Sequence, residues 1–384
     1  MDDALILGGG IVGAGIARDA TLRGLRVTLI EKHTVGWGTS SRSSRLIHGG
    51  IRYLELGDFR LVRESLRERA TLLRIAPSLV RPIPFLFVMD EGEYWQWFRI
   101  GVGVSLYKLL AGRASLGAHH PLTRRGLISR EAELHAAPLA GGAIYQDARG
   151  DDIGLVRANI ESARRKGARI IENVDAHIEL EGDHITAILP GGERITAQSL
   201  ILALGPWTDR VRAEIGLPDL SLVGGTKGAH ITFPFSRLPL RNAIALRHPD
   251  DRRVMFCIPE PERDRVLVGT TDTETDEEPD NLTASDADVA YLVRAARHLF
   301  PHRDLRERDI TGKFAGVRPL LRQGGKESSR SREHRIVRED RVLTIAGGKL
   351  TTYRSMAEEA VDELGKLLGR EIPAATTGVE SLGS

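Results

Sequence analysis

Apolar residues in this chain gather first into short unbroken runs. Ala4–Leu7 is one, and Arg26–Ile30, Ser199–Ala203 and Val342–Ala346 repeat the type. Runs this short and this unbroken predict strands buried on both faces, as in a parallel sheet. Between the first two, Ile11, Ile16, Ala20 and Leu22 recur at helical spacing, predicting a helix over Ile11–Arg23 that closes at Gly24. Further helices are predicted at Phe59–Ile75, capped by Asp58 and ended before Pro77, at Asp151–Gly167 and at Leu350–Leu368. Another spans Ala287–Phe300, where Ser285 and Asp288 have capping-box spacing. From Ala168 to Trp207 alternation and Gly-Asp and Gly-Gly turns predict a small antiparallel meander before the buried strand at 199–203. From Val223 to Asp309 runs of β-formers bounded by Pro, Asp and Arg predict a mostly antiparallel sheet.

This pattern is that of an α/β protein with two domains. A discontinuous Rossmann-type domain draws on 1–80, 145–222 and 335–375. A substrate or cap domain draws on 81–144 and 223–334. The tail, 376–384, is expected to fray after Arg370. The charged stretch 324–340 reads as a loop, with Arg332 and His334 able to point inward, and the acidic stretch 272–280 as a solvated loop without metal-ligand spacing.

The strand–glycine–helix unit carries the first chemistry. Gly8, Gly10 and Gly13 stand in G-x-G-x-x-G spacing. The first makes the tight turn, the second admits a pyrophosphate to the backbone, and the third lets helix and strand pack closely. The helix start then offers N–H groups and a positive dipole end to that anion. Glu31, at the tip of the second strand, suits a ribose hydroxyl and argues against an NADP 2′-phosphate; FAD and NAD stay open at this point. The loop 36–58 is rich in Ser and Gly but also holds Arg42, Arg45, His48, Arg52 and Tyr53, a density suited to wrapping a cofactor. Ala203–Trp207 turns at the carboxyl edge of the sheet, where ligands bind in open α/β folds. Gly347-Gly348-Lys349 sets a lysine over a helix start, a second anion or cofactor site.

Composition narrows the class. A net charge of +2 implies no nucleic-acid partner, and the one cysteine, Cys257, excludes an internal disulfide and a cysteine-based metal site. The nucleotide-binding strand begins almost at Met1, so no signal peptide is read, and no apolar run reaches spanning length. The expected location is cytoplasmic, with the aromatic, apolar segment Tyr94–Leu110 reading as a core helix ahead of an interfacial one.

In the order GGGIVGAGIARDATLRGL, TSSRSSRLIHGGIRYLE, ALGPW, KGAH, VGTTD, GVRPL and GGKLTTYR, the chain resembles the FAD-dependent glycerol-3-phosphate dehydrogenases. The resemblance implies a glycine-oxidase-like fold and FAD as cofactor. It implies oxidation of sn-glycerol 3-phosphate to dihydroxyacetone phosphate, with electrons passed to a quinone at the cytoplasmic face of a membrane. Oxygen as acceptor, an amino-acid or amine oxidase and an FAD-stabilised scaffold are the competing readings, and a homodimer is left open. Position by position, it implies a catalytic group of His230, as general base, Lys349 and Arg318. Substrate contacts fall to Arg52, Tyr53, Thr270, Arg318 and Arg332. FAD contacts fall to Gly8, Gly10, Gly13, Glu31, Lys32, Thr39, Ser40, Ser41, Ser44, His48, Gly49, Gly205, Trp207, Lys349, Leu350 and Thr351. No metal is expected. Many members of that family continue into a helical C-terminal domain, which this sequence does not include.

Overall fold

The computed structural model describes residues 1–384 apart from 55, 56, 93, 276, 323–333 and 384; at 52 and 94–98 it describes the backbone alone. Its first layer is a six-stranded sheet in the order His334–Glu339, Val342–Gly347, Leu200–Leu202, Ala4–Leu7, Val27–Ile30 and Arg169–Ile171. All neighbours are parallel except the antiparallel edge strand His334–Glu339. Helices Ile11–Leu22, Asp152–Arg165 and Tyr353–Leu368 cover one face through Ile16, Ile160, Met356 and Val361. A three-stranded antiparallel meander, His177–Glu181, His184–Ile188 and Arg194–Ala197, covers the other through Ile178 and Ile185 on Leu5, Leu200 and Leu202. Strands covered on both faces need no alternation, which is why the apolar runs were legible.

The second layer is a ten-stranded, mostly antiparallel sheet. Its long strand Val223–Pro234 pairs with Gly312–Leu321 on one side and with Arg265–Gly269 on the other, so His230 stands in register between Gly269 and Phe314. Strand Leu139–Gly150 belongs to this sheet and runs unbroken across position 145, where a domain boundary was expected.

Local chemistry sets several boundaries as expected. Asp58 accepts from the Leu61 amide at 3.0 Å at the start of helix Phe59–Ile75. Ser285 and Asp288 form a reciprocal capping box at the start of Asp286–Leu299. Helix Tyr94–Ala111 buries Val104, Tyr107 and Ala111, while Val102 and Leu109 remain 53% and 75% exposed on its outer side. No helix among the described residues is long and apolar enough to cross a membrane.

Three expectations are corrected. Arg169–Ile171 is not part of the meander but the parallel edge of the six-stranded sheet, beside Thr28–Ile30. Residues 334–339 are not loop but a strand whose charged side chains sit at a sheet edge, where water solvates them. The tail does not fray. Thr377 donates to Asp19 at 3.0 Å, Arg18 donates to the carbonyls of Thr377 and Glu380, and the Leu382 amide donates to the Ile75 carbonyl at 2.7 Å.

Arg18 is 1% exposed, so its charge depends on those carbonyl acceptors, and the Leu382 side chain is buried with it. Deleting residues 372–384 is therefore expected to cost on the order of 3–6 kcal/mol, combining one buried leucine with the lost acceptors of a buried cation. Thermal unfolding of the shortened chain measures it, and an unchanged Tm would refute the docking role.

Candidate active site

A cleft of about 490 Å³ lies between the carboxyl edge of the parallel sheet and the face of the second sheet. This is within the size range of cofactor and small-molecule sites. At its floor, Gly8 holds φ +102° and a Cβ there would stand 2.5 Å from the Ala203 carbonyl oxygen. A Cβ at Gly13 would fall 1.9 Å from the Gly8 oxygen, so the third glycine closes helix onto strand from behind the cleft. Gly10 begins helix Ile11–Leu22 without a side-chain cap, and the first turn holds no carboxylate. Ser40 Oγ accepts from the Ile11 amide at 3.0 Å. The positive end of this helix thus faces the cleft, ready for an anion.

Glu31 closes one end. Its carboxylate accepts from the amides of Gly9 at 2.6 Å and His33 at 2.8 Å, which fixes it at the strand tip. Lys32 lies on the rim and pairs with Asp175 at 2.8 Å. Trp37 forms a wall with His33 stacked at 3.9 Å, the Arg42 guanidinium 4.6 Å from its ring centroid and Trp207 at 6.2 Å. Thr39 donates to the Val317 carbonyl at 2.8 Å, tying the loop to the second sheet. Gly205, Leu350 and Thr351 line the cleft, and the Thr351 hydroxyl exchanges hydrogen bonds with the backbone of His48. Two residues expected here act from behind: Ser41 donates to carbonyls of its own turn, and Gly49 is buried with its amide on Asp147.

At the other end stands a second group of polar side chains. Arg318 donates to Asp272 at 2.7 Å, to Thr270 Oγ1 at 2.7 Å and to the Thr271 carbonyl at 3.0 Å. These acceptors orient the guanidinium, and Gly228 makes room for it, since a Cβ there would meet its Nη2. Thr270 therefore acts here through Arg318. Lys349 Nζ lies 4.9 Å from the centroid of the buried Tyr53 ring. Arg52 has its backbone in the short turn Ile51–Leu54, and Arg332 lies outside the described residues.

His230 is buried, stacked on Phe314 at 4.9 Å, with Nε2 2.8 Å from Ser44 Oγ. Burial pushes its pKa down to about 3, helped by the positive charges of Arg318 and Arg45. A histidine expected to titrate near neutrality is instead held as neutral imidazole, and its Nδ1 has no partner among the described residues.

The sequence reading named two groups without their roles. Asp272, assigned to a solvated loop, partners Arg318; its position right after VGTT was the available signal. Arg45, in the left-handed region at φ +56°, is held by Glu260 at 2.8–2.9 Å and lies 3.4 Å from Asp152, and thereby adds a second cation beside His230. Nothing local in the sequence pairs residues so far apart.

A helix start free of carboxylates, a fixed carboxylate at the strand tip and an aromatic wall leading to a buried imidazole and a guanidinium suit a dinucleotide whose far end meets a small anion. Residues 3–360 match the model of the FAD dependent oxidoreductase family. The aerobic glycerol-3-phosphate dehydrogenase of Staphylococcus haemolyticus is 36% identical over 379 residues, covering 96% of this chain and 68% of the relative. The glycerol-3-phosphate dehydrogenase of Bacillus halodurans, solved with FAD, superposes with a TM-score of 0.78 at 29% identity, over all of this chain and 68% of that one. Glycine oxidase from Geobacillus kaustophilus, at 22% identity, TM-score 0.71 and coverage of 99% of this chain and 98% of its own, shares the fold. The chain belongs to the FAD-dependent oxidoreductases, in their aerobic glycerol-3-phosphate dehydrogenase family.

Proposed function

We propose that this chain oxidises sn-glycerol 3-phosphate to dihydroxyacetone phosphate and passes the electrons to a quinone. The observation that carries the reading is the meeting of Arg318 and His230 in the same cleft as the dinucleotide cradle. Gly8, Gly10, Ser40, Glu31, Trp37, His48 and Thr351 are the residues that would hold FAD. When bound, FAD supplies a two-electron acceptor for the hydride leaving C2.

The protein's own residues do the rest. Arg318, permanently charged and already oriented, takes the phosphate, with Lys349, Arg52 and Arg332 assigned to assist. Thr270 holds the Arg318 guanidinium in place, and the Tyr53 ring lies beneath Lys349. Holding the remote phosphate spends binding energy on aligning C2. His230, kept neutral, is the acceptor for the C2 hydroxyl proton. A phosphate dianion on Arg318 offsets one of the two cations that disfavour imidazolium, so substrate arrival makes His230 more basic. The exposed Val102 and Leu109, on a helix whose described charges are Arg99 and Lys108, support contact with an anionic membrane surface, where quinone resides.

Anaerobic addition of sn-glycerol 3-phosphate is expected to bleach the visible flavin band of the purified protein. Bleaching by an amino acid and not by this substrate would overturn the reading. Reoxidation is expected to be faster with a short-chain quinone than with air, and the reverse order would make oxygen the acceptor.

A further inference from the structure

Most of the cations that line the cleft are already matched by carboxylates. Lys32 pairs with Asp175 at 2.8 Å, Arg45 with Glu260 at 2.8 Å, Arg210 with Glu278 at 2.8 Å and Arg318 with Asp272 at 2.7 Å. Arg42 differs from these four. It lines the same cleft half-buried, yet no carboxylate among the described residues comes within 4.0 Å of its guanidinium. The guanidinium instead lies 4.6 Å from the centroid of the Trp37 ring. Burial pulls its pKa below the ordinary arginine value, and Asp280, which also lines the cleft, pulls the other way. A ring face offers a cation less than a hydrogen-bonded anion does.

The surrounding contacts fix where this side chain stands. Arg42 follows the short turn Thr39–Ser41, and its amide donates to the Thr39 carbonyl at 3.0 Å. Ser40 ties that turn to the start of helix Ile11–Leu22, and Thr39 ties it to strand Gly312–Leu321. The Arg42 stem passes the same strand at Gly316, where a Cβ would stand 2.7 Å from Arg42 Cβ. Glycine at 316 thus leaves the stem its path, as Gly228 does for the Arg318 guanidinium. Stacking on Trp37, whose other neighbours are His33 and Trp207, draws the charged end to the aromatic wall.

We infer that Arg42 is a binding residue for the diphosphate of FAD, its guanidinium taking phosphate oxygens while its stem keeps to Gly316. A diphosphate brings two negative charges. The helix start offers N–H groups and a partial charge, but its first turn, Ile11–Ala14, carries no charged side chain. A full positive charge must come from a neighbouring segment, and the turn that Ser40 fastens to the helix start is the one that carries Arg42. The planar fork of an arginine suits phosphate oxygens, and its charge does not depend on pH. The inference rests on FAD as cofactor and not on the proposed substrate. The substrate's phosphate is the other source of the same chemistry, and the test separates the two.

The test follows release of FAD from the diluted holoenzyme by the rise of free-flavin fluorescence, in the native chain, Arg42→Met and Arg42→Lys. Release is expected to be about 10- to 100-fold faster in Arg42→Met, the range of one or two charge-assisted hydrogen bonds. Arg42→Lys, which keeps the charge without the fork, is expected to fall between the two. Raising salt about tenfold should speed release from the native chain more than from Arg42→Met, because the native chain has one more charged contact to screen. Anaerobic titration of the bound flavin with sn-glycerol 3-phosphate is expected to give a Kd within about threefold of native in both variants, since one contact to the cofactor is all that changes. Release from Arg42→Met within about twofold of native would overturn the inference. So would a Kd for glycerol 3-phosphate raised about tenfold with release unchanged, which would give Arg42 to the substrate's phosphate. Release from Arg42→Lys as fast as from Arg42→Met would also overturn it, by removing the charge from the account. Arg42→Met purified without flavin beside a flavin-loaded Arg42→Lys would bear the inference out. Loss of flavin from both would make Arg42 part of the turn's folding and overturn it.

Discussion

Replacing Arg318 with methionine is expected to lower kcat/KM for sn-glycerol 3-phosphate by two to three powers of ten, on the order of 3–4 kcal/mol. Methionine keeps the unbranched apolar stem of the side chain and removes the charge and all its donors. The loss falls on phosphate binding and on alignment, so both KM and kcat suffer. The fold should tolerate it, because Asp272 is 40% exposed and water can take over its solvation. Flavin content is expected to stay at one per chain, since the dinucleotide cradle is built from other residues. One of the two cations depressing His230 also disappears, so its pKa should rise from about 3. Native kinetics in this variant would remove Arg318 from the phosphate site.

The second large effect is expected away from the chemistry, at Asp147. Its carboxylate accepts from Arg69 at 2.7 Å, from the Tyr107 hydroxyl at 2.8 and 2.9 Å and from the Gly49 amide at 3.2 Å. Asp147→Ala would strand the buried Arg69 guanidinium with only the carbonyls of Gln146 and Ala114 as acceptors. Breaking one side of a buried pair costs about 3–5 kcal/mol, mostly as an uncompensated charge. The exposed pair Arg169–Glu193, whose side chains are 50% and 53% accessible, offers the contrast: its removal should cost less than about 1 kcal/mol. Thermal unfolding of Asp147→Ala beside Glu193→Ala separates the two. Equal small shifts would show that the Asp147 cluster contributes little. The same variant loosens the amide of Gly49, next to His48, so flavin affinity should weaken along with the fold.

The parts of this molecule that sequence revealed are those fixed by neighbours along the chain. The glycine motif with its flanking strands, the Asp58 cap and the Ser285–Asp288 box each depend on residues within a few positions, and each stands where periodicity put it. What stayed hidden depends on partners far away. Strand 334–339 was obscured by Arg335, Arg338 and Glu339, charges that an edge strand carries without penalty. Arg169–Ile171 looked like the start of the meander because spacing cannot say whether a strand pairs with its successor or with residue 28. The tail, polar and short, gave no hint that Thr377 would meet Asp19. At the site, residue types were legible through the family motifs. The pairings that tune them, Ser44 with His230 and Asp272 with Arg318, join positions too distant for any local pattern to connect.

The order of strands in the parallel sheet also bears on how the chain is made. Ala4–Leu7 leaves the ribosome before the other strands of its sheet, yet one of its two neighbours is Leu200–Leu202, which in turn leans on Val342–Gly347. At about 5–20 residues per second, roughly 10–40 s pass before that first neighbour exists. During that interval an apolar strand with an open edge is exposed to whatever else is in the cell. Folding of the parallel sheet therefore waits on synthesis of residues roughly two hundred positions further along the chain.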